Sequence, residues 1–318
     1  MIAYERKTLA NGLTVAVNRD RASKLAAVNL LYKVGARNEN PARTGFAHLF
    51  EHLMFRGTRD VPNFDLPVQM ASGDNNAFTN NDYTDFYITL PKDNIETALW
   101  LESDRMEGLD ITPGKLETEK RVVIEEFRQR YLNQPYGDQT MLLRALAYKV
   151  HPYRWAAIGL TTEHISSATQ ADVEAFYRSH YHPSNAILSI SADLEEERMM
   201  ELAEKWFGGL ADVPYTAEPI PQEPPQQAPR REEVERDVPA TTVTVAYHMG
   251  GRRPADFYTA DLVSDLLSGG DSSRLYRRLV KEQRLLSSVN AYITGDLDPG
   301  LFVFTGQLLP GIAPEQVE

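Results

Sequence analysis

The sequence contains no cysteine. Disulfide bridges and thiolate metal ligation are thereby excluded, and any metal site must be assembled from histidine and carboxylate side chains. Basic charge is also in deficit: 33 lysines and arginines stand against 45 aspartates and glutamates, a net charge of −12 at pH 7. A surface of that sign repels phosphate, so neither nucleic acid nor an anionic membrane surface is expected as a partner. Long apolar runs are missing too, and no segment approaches the length of a membrane span. The opening residues, MIAYERKTLANGLTVAV, lack the basic region and apolar core of a secretory leader and pass directly into a turn at Asn11-Gly12. The expected compartment is therefore the cytoplasm, or the periplasm for a chain already relieved of a leader.

What is present suffices for two domains, since the chain has 318 residues and 42% hydrophobic content. Alternating or β-branched runs predict strands at 13–19, 26–34, 77–90 and 185–192. Helical periodicity covers 44–56, 93–107, 112–131, 138–148, 169–180 and 194–207, with Thr112 as cap and Pro113 in the first turn of the third. Strands and helices come in clusters rather than in strict alternation. That pattern predicts an α+β fold with an antiparallel sheet covered by helices on one face. Residues 213–239 are rich in proline and charge and read as a linker between a domain at 1–212 and another at 240–318.

The segment after the linker repeats the segment before it. VNLLYKVGAR (28–37) aligns with VTVAYHMGGR (243–252), AHLFEHLM (47–54) with ADLVSDLL (260–267), and NAF (76–78) with NAY (290–292). The chain is thus read as a duplicated domain whose second copy is incomplete, stopping where the first begins its 93–107 helix. The expectation is that either the chain is a fragment or the helices that would cover the second copy come from elsewhere. The repeat also acts as a control: His48, Glu51 and His52 correspond to Asp261, Ser264 and Asp265. The helix therefore does not need those polar groups in order to fold.

His48 and His52 lie four apart on one face of a helix, where each can aim a ring nitrogen at a common ion. Glu51 borders that face and can reach a water held by the ion, as a general base must. Such a site needs a third protein ligand. The helix from Pro113 offers carboxylates, and its apolar stripe of Leu116, Val123 and Phe127 is bordered by Glu119 and Glu126, seven apart. Glu125, placed between Arg121 and Arg128, belongs to a solvated face instead. Glu126 is accordingly the better ligand candidate, with Glu119 as an auxiliary carboxylate. His151, His164, His180, His182 and His248 have no partner at ligand spacing on a common helical face and are read as structural.

The spacing of His48, Glu51, His52, Glu119 and Glu126 resembles the inverted zinc motif of the insulinase, or pitrilysin-like, metallopeptidases. NGLTV, VGARNE, EHLMFRGT, NAFT, DYT, LESDRM, YHPSNA and SSRLYRRL also resemble stretches of that family, in the same order. Among its members the chain looks most like the bacterial subunits similar to the mitochondrial processing peptidase. The resemblance implies one zinc ion (Zn2+) per chain, bound by His48, His52 and Glu126. It also implies that Glu51 activates the attacking water, with Glu119 assisting. By the same resemblance Asn76, Ala77, Phe78 and Thr79 form an edge strand that pairs with the backbone of a peptide substrate.

Two positions depart from the family pattern. Where relatives carry an arginine and, seven residues on, a tyrosine, this chain has Val280 and Ser287. Neither replaces the donors that steady a substrate carbonyl. The expectation is a zinc endopeptidase subunit acting on oligopeptides or unfolded segments, with a homologous partner subunit supplying the arginine and tyrosine. A non-catalytic scaffold or assembly subunit is the alternative reading, and a hydrolase or lyase of different chemistry is a third.

Overall fold

The computed structural model describes residues 2–211, 213 and 216–317. The expected boundary at residue 212 and the linker positions 214 and 215 lie outside them. The chain divides into two compact units: residues up to Arg128 together with His151–Gln222, and Gln129–Val150 together with the chain from Glu223 onward. Along the first part run β1 (Glu5–Thr8), β2 (Thr14–Arg19), β3 (Leu25–Tyr32), α1 (Phe46–Leu53), α2 (Asp65–Met70), β4 (Asp74–Thr79), β5 (Thr84–Pro91), α3 (Ile95–Glu107) and α4 (Pro113–Phe127). There follow α5 (Gln139–Ala147), α6 (Thr162–Ser166), α7 (Gln170–His180), β6 (Ala186–Ala192) and α8 (Glu196–Phe207). After residue 240 come β7 (Thr242–His248), α9 (Asp256–Ser268), β8 (Leu286–Ile293) and β9 (Leu301–Leu308).

The first unit is built on a six-stranded sheet of order β1-β2-β6-β3-β5-β4. Its strands bury alternate residues: Ala26, Val28, Leu30 and Tyr32 of β3 face the core with Phe86, Ile88 and Leu90 of β5 and Leu188 and Ile190 of β6. Helices cover that face. Tyr181, just past α7, stacks on Phe50 of α1 and packs against Tyr32, while Phe55 meets Phe86. The sheet is mixed rather than antiparallel throughout, because β6 runs parallel to β2 and antiparallel to β3. The long stretch of chain between β2 and β6, which includes β3 to β5 and α1 to α7, permits a parallel pairing.

The run expected as one strand at 77–90 is a hairpin. Asn80 Oδ1 accepts from Asp82 N (2.8 Å) and Tyr83 N (2.9 Å), turning the chain without breaking the apolar alternation on either side. The expected helix to residue 131 is α-helical only to Phe127 and continues as a wide π-helical turn over Arg128–Leu132.

The second unit carries a three-stranded sheet of order β7-β9-β8. Its registers reproduce those of β3-β5-β4. Leu30 opposes Phe86 and Phe86 opposes Ala77 in the first sheet; Val245 opposes Phe304 and Phe304 opposes Ala291 in the second. Helix α5, expected in the first domain, belongs to this unit because its polar end binds the second sheet. Gln139 Nε2 donates to Thr244 Oγ1 and to Thr305 Oγ1, and Arg230 Nη1 caps Leu146 O (2.9 Å) and Ala147 O (2.7 Å). No helix among the described residues is long and apolar enough to cross a membrane.

One buried charge pair braces the helical layer. Arg105 of α3, 1% exposed, binds Glu102 through two hydrogen bonds (2.7 and 2.5 Å) and lies over the rings of Phe55, Phe64 and Phe86. Burial pushes the Glu102 carboxyl up, against the pull of Arg105. Removing Arg105 would leave that acid alone in the core. The Arg105→Ala chain is expected to lose roughly 3–5 kcal/mol in urea unfolding; a loss below about 1 kcal/mol would show that the pair does not brace the core.

Candidate metal centre

Helix α1 starts at Gly45, whose φ of +90° favours glycine and whose hypothetical Cβ would lie 2.6 Å from the Ile158 carbonyl oxygen. Phe46, Ala47, Leu49, Phe50 and Leu53 are buried along it. The polar residues His48, Glu51 and His52 are left along the contact with α4. Helix α4 is started by Thr112, whose Oγ1 accepts from Lys115 N (3.3 Å), with Pro113 in the first turn. Its stripe of Leu116, Val123 and Phe127 is buried, Glu119 is 1% exposed, and Glu126 is half-buried at the border. Glu125 is exposed and pairs with Arg128.

The two helices bring His48, His52 and Glu126 together. His48 Nε2 lies 3.5 Å and His52 Nε2 3.4 Å from the same oxygen, Glu126 Oε2. The imidazole rings stand edge to face, with centroids 4.9 Å apart. His52 Nδ1 faces Glu119 Oε2 at 3.4 Å, and Glu119 Oε1 is paired with Arg56 Nη2 at 2.5 Å. Burial pulls the His52 imidazole down, but the carboxylates of Glu119 and Glu126 outweigh it and raise it to about 9. For Glu119 burial acts upward, and hydrogen bonds from His52 and Arg56 overcome it and hold the carboxyl below its ordinary 4.5.

This donor set fits a zinc ion. Ligands at 2.0–2.1 Å around a tetrahedral ion lie about 3.3 Å from one another, close to the separations between Glu126 Oε2 and the two imidazole nitrogens. Glu119 at Nδ1 stands where an outer carboxylate would orient a ligating imidazole. Glu51 is half-buried on α1 beside His52, close enough for its charge to act on Tyr181. Among the described residues one other group could gather donors, Glu195, Glu196 and Glu197 at the start of α8, and it has no histidine.

The segment 76–79 lies on β4, the outer strand of the six-stranded sheet, with Asn76 and Phe78 exposed; α1 packs against this strand. Val280 lies in a π-helical segment, Tyr276–Glu282, and Ser287 at an irregularity of β8, its hydroxyl donating to Gln307 O (3.3 Å). The remaining histidines make local contacts: His151 Nδ1 accepts from Tyr153 N, His164 Nδ1 from Thr44 N, His180 and His182 bind neighbouring backbone oxygens, and the His248 ring meets Tyr148. The sequence reading had no place for Arg56. Its position four residues after His52 in the helix expected over 44–56 was the available signal, although α1 ends at Leu53 and Arg56 lies in the bend beyond it.

The charges around His52 and Glu119 set a pH profile. The folded-state value of His52 exceeds its ordinary 6.5, so its stabilising share is complete below 6.5 and lost as pH rises through about 9. Glu119 is held below 4.5, so its share is present above 4.5 and lost as pH falls through the lowered value. Thermal unfolding of chelator-treated protein is expected to show a decline that runs from about pH 6.5 to about pH 9, levels off above that, and vanishes in His52→Gln. Identical alkaline profiles for the two proteins would contradict this assignment.

Residues 14–156 match the insulinase family (peptidase family M16), and residues 167–318 match the peptidase M16 inactive domain. The zinc protease PqqE of Helicobacter pylori is 32% identical over 321 residues, covering 99% of this chain and 72% of the relative. The probable mitochondrial-processing peptidase subunit beta of Schizosaccharomyces pombe is 28% identical, covering 94% of this chain and 68% of the relative. A crystal structure of a protease from Helicobacter pylori matches with a TM-score of 0.93 at 32% identity, covering all of this chain and 78% of the other. With its mixed sheet, its repeated strand registers and its cluster of two histidines and a glutamate, the chain belongs to the insulinase family of peptidases, family M16.

Proposed function

We propose that this chain is a zinc-dependent endopeptidase subunit that hydrolyses peptide bonds in oligopeptides or unfolded segments. The observation that carries the reading is the approach of two imidazole nitrogens of α1 to one carboxylate oxygen of α4. His48, His52 and Glu126 would hold one zinc ion, which when bound acidifies a coordinated water and polarises a carbonyl. His52 must then give up the proton that Glu126 stabilises at Nε2, while Nδ1–H stays donated to Glu119. Glu51, one residue before His52 on the same helix, takes a proton from the attacking water and returns it to the departing amine. The outer strand β4 receives the substrate as an added strand along Asn76, Ala77, Phe78 and Thr79, reading backbone more than side chain.

Val280 and Ser287 leave the second unit without an arginine and tyrosine pair, so a homologous partner subunit is the source proposed for it. The name of the fission-yeast relative, a peptidase subunit, agrees with divided labour. A second reading, a non-catalytic assembly subunit, is favoured by the match of residues 167–318 to an inactive domain.

Glu51→Gln separates the two. The peptidase reading expects metal content equal to wild type and peptide cleavage reduced by about 10²–10⁴-fold, assayed with any partner present. Glu126→Gln is expected to lose the metal. No cleavage by wild type, with or without a homologous partner, would support the assembly reading instead.

A further inference from the structure

Helix α1 begins on a glycine, and Gly45 has no side chain with which to cap the first turn. The cap arrives from six residues upstream. Glu39, 5% exposed, accepts from Gly45 N through Oε2 and from Ala47 N through Oε1, both at 2.9 Å. Ala47 immediately precedes His48.

Glu39 ends a short turn that is bound at its other side to the tip of the β4–β5 hairpin. Ala36 N donates to Asn80 O (3.1 Å) and Arg37 N to Asn81 O (2.9 Å). Arg37 Nη1 lies 3.1 Å from Asp82 Oδ1, to which Tyr153 Oη also donates (2.5 Å). Trp155 Nε1 closes the turn by donating to Ala36 O (3.0 Å). The approach is too close for any side chain at Gly35, whose Cβ would lie 2.6 Å from Asn80 O and from Asp82 N.

We propose that Glu39 is a positioning residue: through the turn Gly35–Glu39 it fixes the helix bearing His48 and His52 against the hairpin bearing Asn76–Thr79, so that metal centre and substrate strand keep one alignment. This rests on the metallopeptidase reading above and deepens it. Arg37 holds the hairpin side of the same turn and Glu39 the helix side. Displacements of about 1 Å at such a distance from the reacting atoms are enough to cost about 10²-fold in rate.

The proposal does not depend on the charge of Glu39. Burial pushes its carboxyl up to about 8 against the hydrogen bonds from Ala47 and Gly45, but in either protonation state both oxygens keep a lone pair for an N–H. The amide nitrogen of glutamine has none, so with the side chain placed as Glu39 is, Glu39→Gln sets an NH2 against one of the two N–H groups and loses that bond.

The test separates the two sides of the turn. Cobalt(II) affinity is read from the visible absorbance of metal-stripped protein. Affinity for a fluorescein-labelled extended peptide is read on the stripped protein, where no hydrolysis intervenes. Glu39→Gln is expected to weaken Co2+ roughly ten-fold or more with peptide affinity within about two-fold of wild type. Arg37→Ala is expected to do the reverse. Asn11→Ala, which removes a buried bond to Phe207 O far from the turn, is expected to lower the melting temperature and leave both affinities unchanged. Wild-type Co2+ affinity in Glu39→Gln would overturn the inference, as would losses in all three variants that merely track their melting temperatures. A wild-type chain that takes up no Co2+ overturns the metal reading, and this inference with it.

Discussion

The contact between α1 and α4 in the first unit rests on a compensation of buried charge. Two carboxylates, Glu119 and Glu126, and two imidazoles, His48 and His52, are brought into a partly dry contact. Burying a carboxylate to 1% exposure is costly unless it is paired. Arg56 and His52 supply the pairing for Glu119, and for Glu126 the imidazoles do so. The two carboxylates raise the His52 imidazole to about 9, so an ion at Nε2 would have to compete with a proton. The rest of the unit holds the two helices in that relation. Phe50, Phe176 and Tyr181 stack behind α1, and Arg105 joins three phenylalanines beneath it.

The duplication gives these polar groups their meaning. The same strand registers recur in the second unit, so Leu30, Phe86 and Ala77 have their counterparts in Val245, Phe304 and Ala291. Helix α9 occupies the place of α1 between its strands, yet Asp261 and Asp265 are exposed and Ser264 is buried where the first copy has its histidines and Glu51. The scaffold forms with or without the donor set. Its presence in one copy alone is therefore better explained by chemistry than by folding.

Much of this was legible in the sequence because burial leaves a period. Alternation located β2, β3 and β6, Thr112-Pro113 marked the start of α4, and the apolar stripe distinguished Glu126 from Glu125. What failed was whatever the period does not encode. Strand β1, ERKT, is exposed throughout and shows no alternation. The hairpin at Asn80–Tyr83 hides inside a continuous alternating run, because an asparagine side chain makes the turn. The parallel pairing of β2 with β6 and the attachment of α5 to the second unit are long-range facts, fixed by contacts rather than by local pattern. Arg56 and Glu39 were missed for a similar reason. Each looks like an ordinary surface charge until the fold brings Glu119 to one and the start of α1 to the other.

The central claim is that His48, His52 and Glu126 hold one ion between α1 and α4, and it can be tested without reference to activity. Crystals of the chain grown with zinc should show, in an anomalous difference map at the zinc absorption edge, a single strong peak within bonding distance of His48 Nε2, His52 Nε2 and Glu126 Oε2. A peak at Glu195–Glu197 around the start of α8 alone, or none between the two helices, would contradict the account.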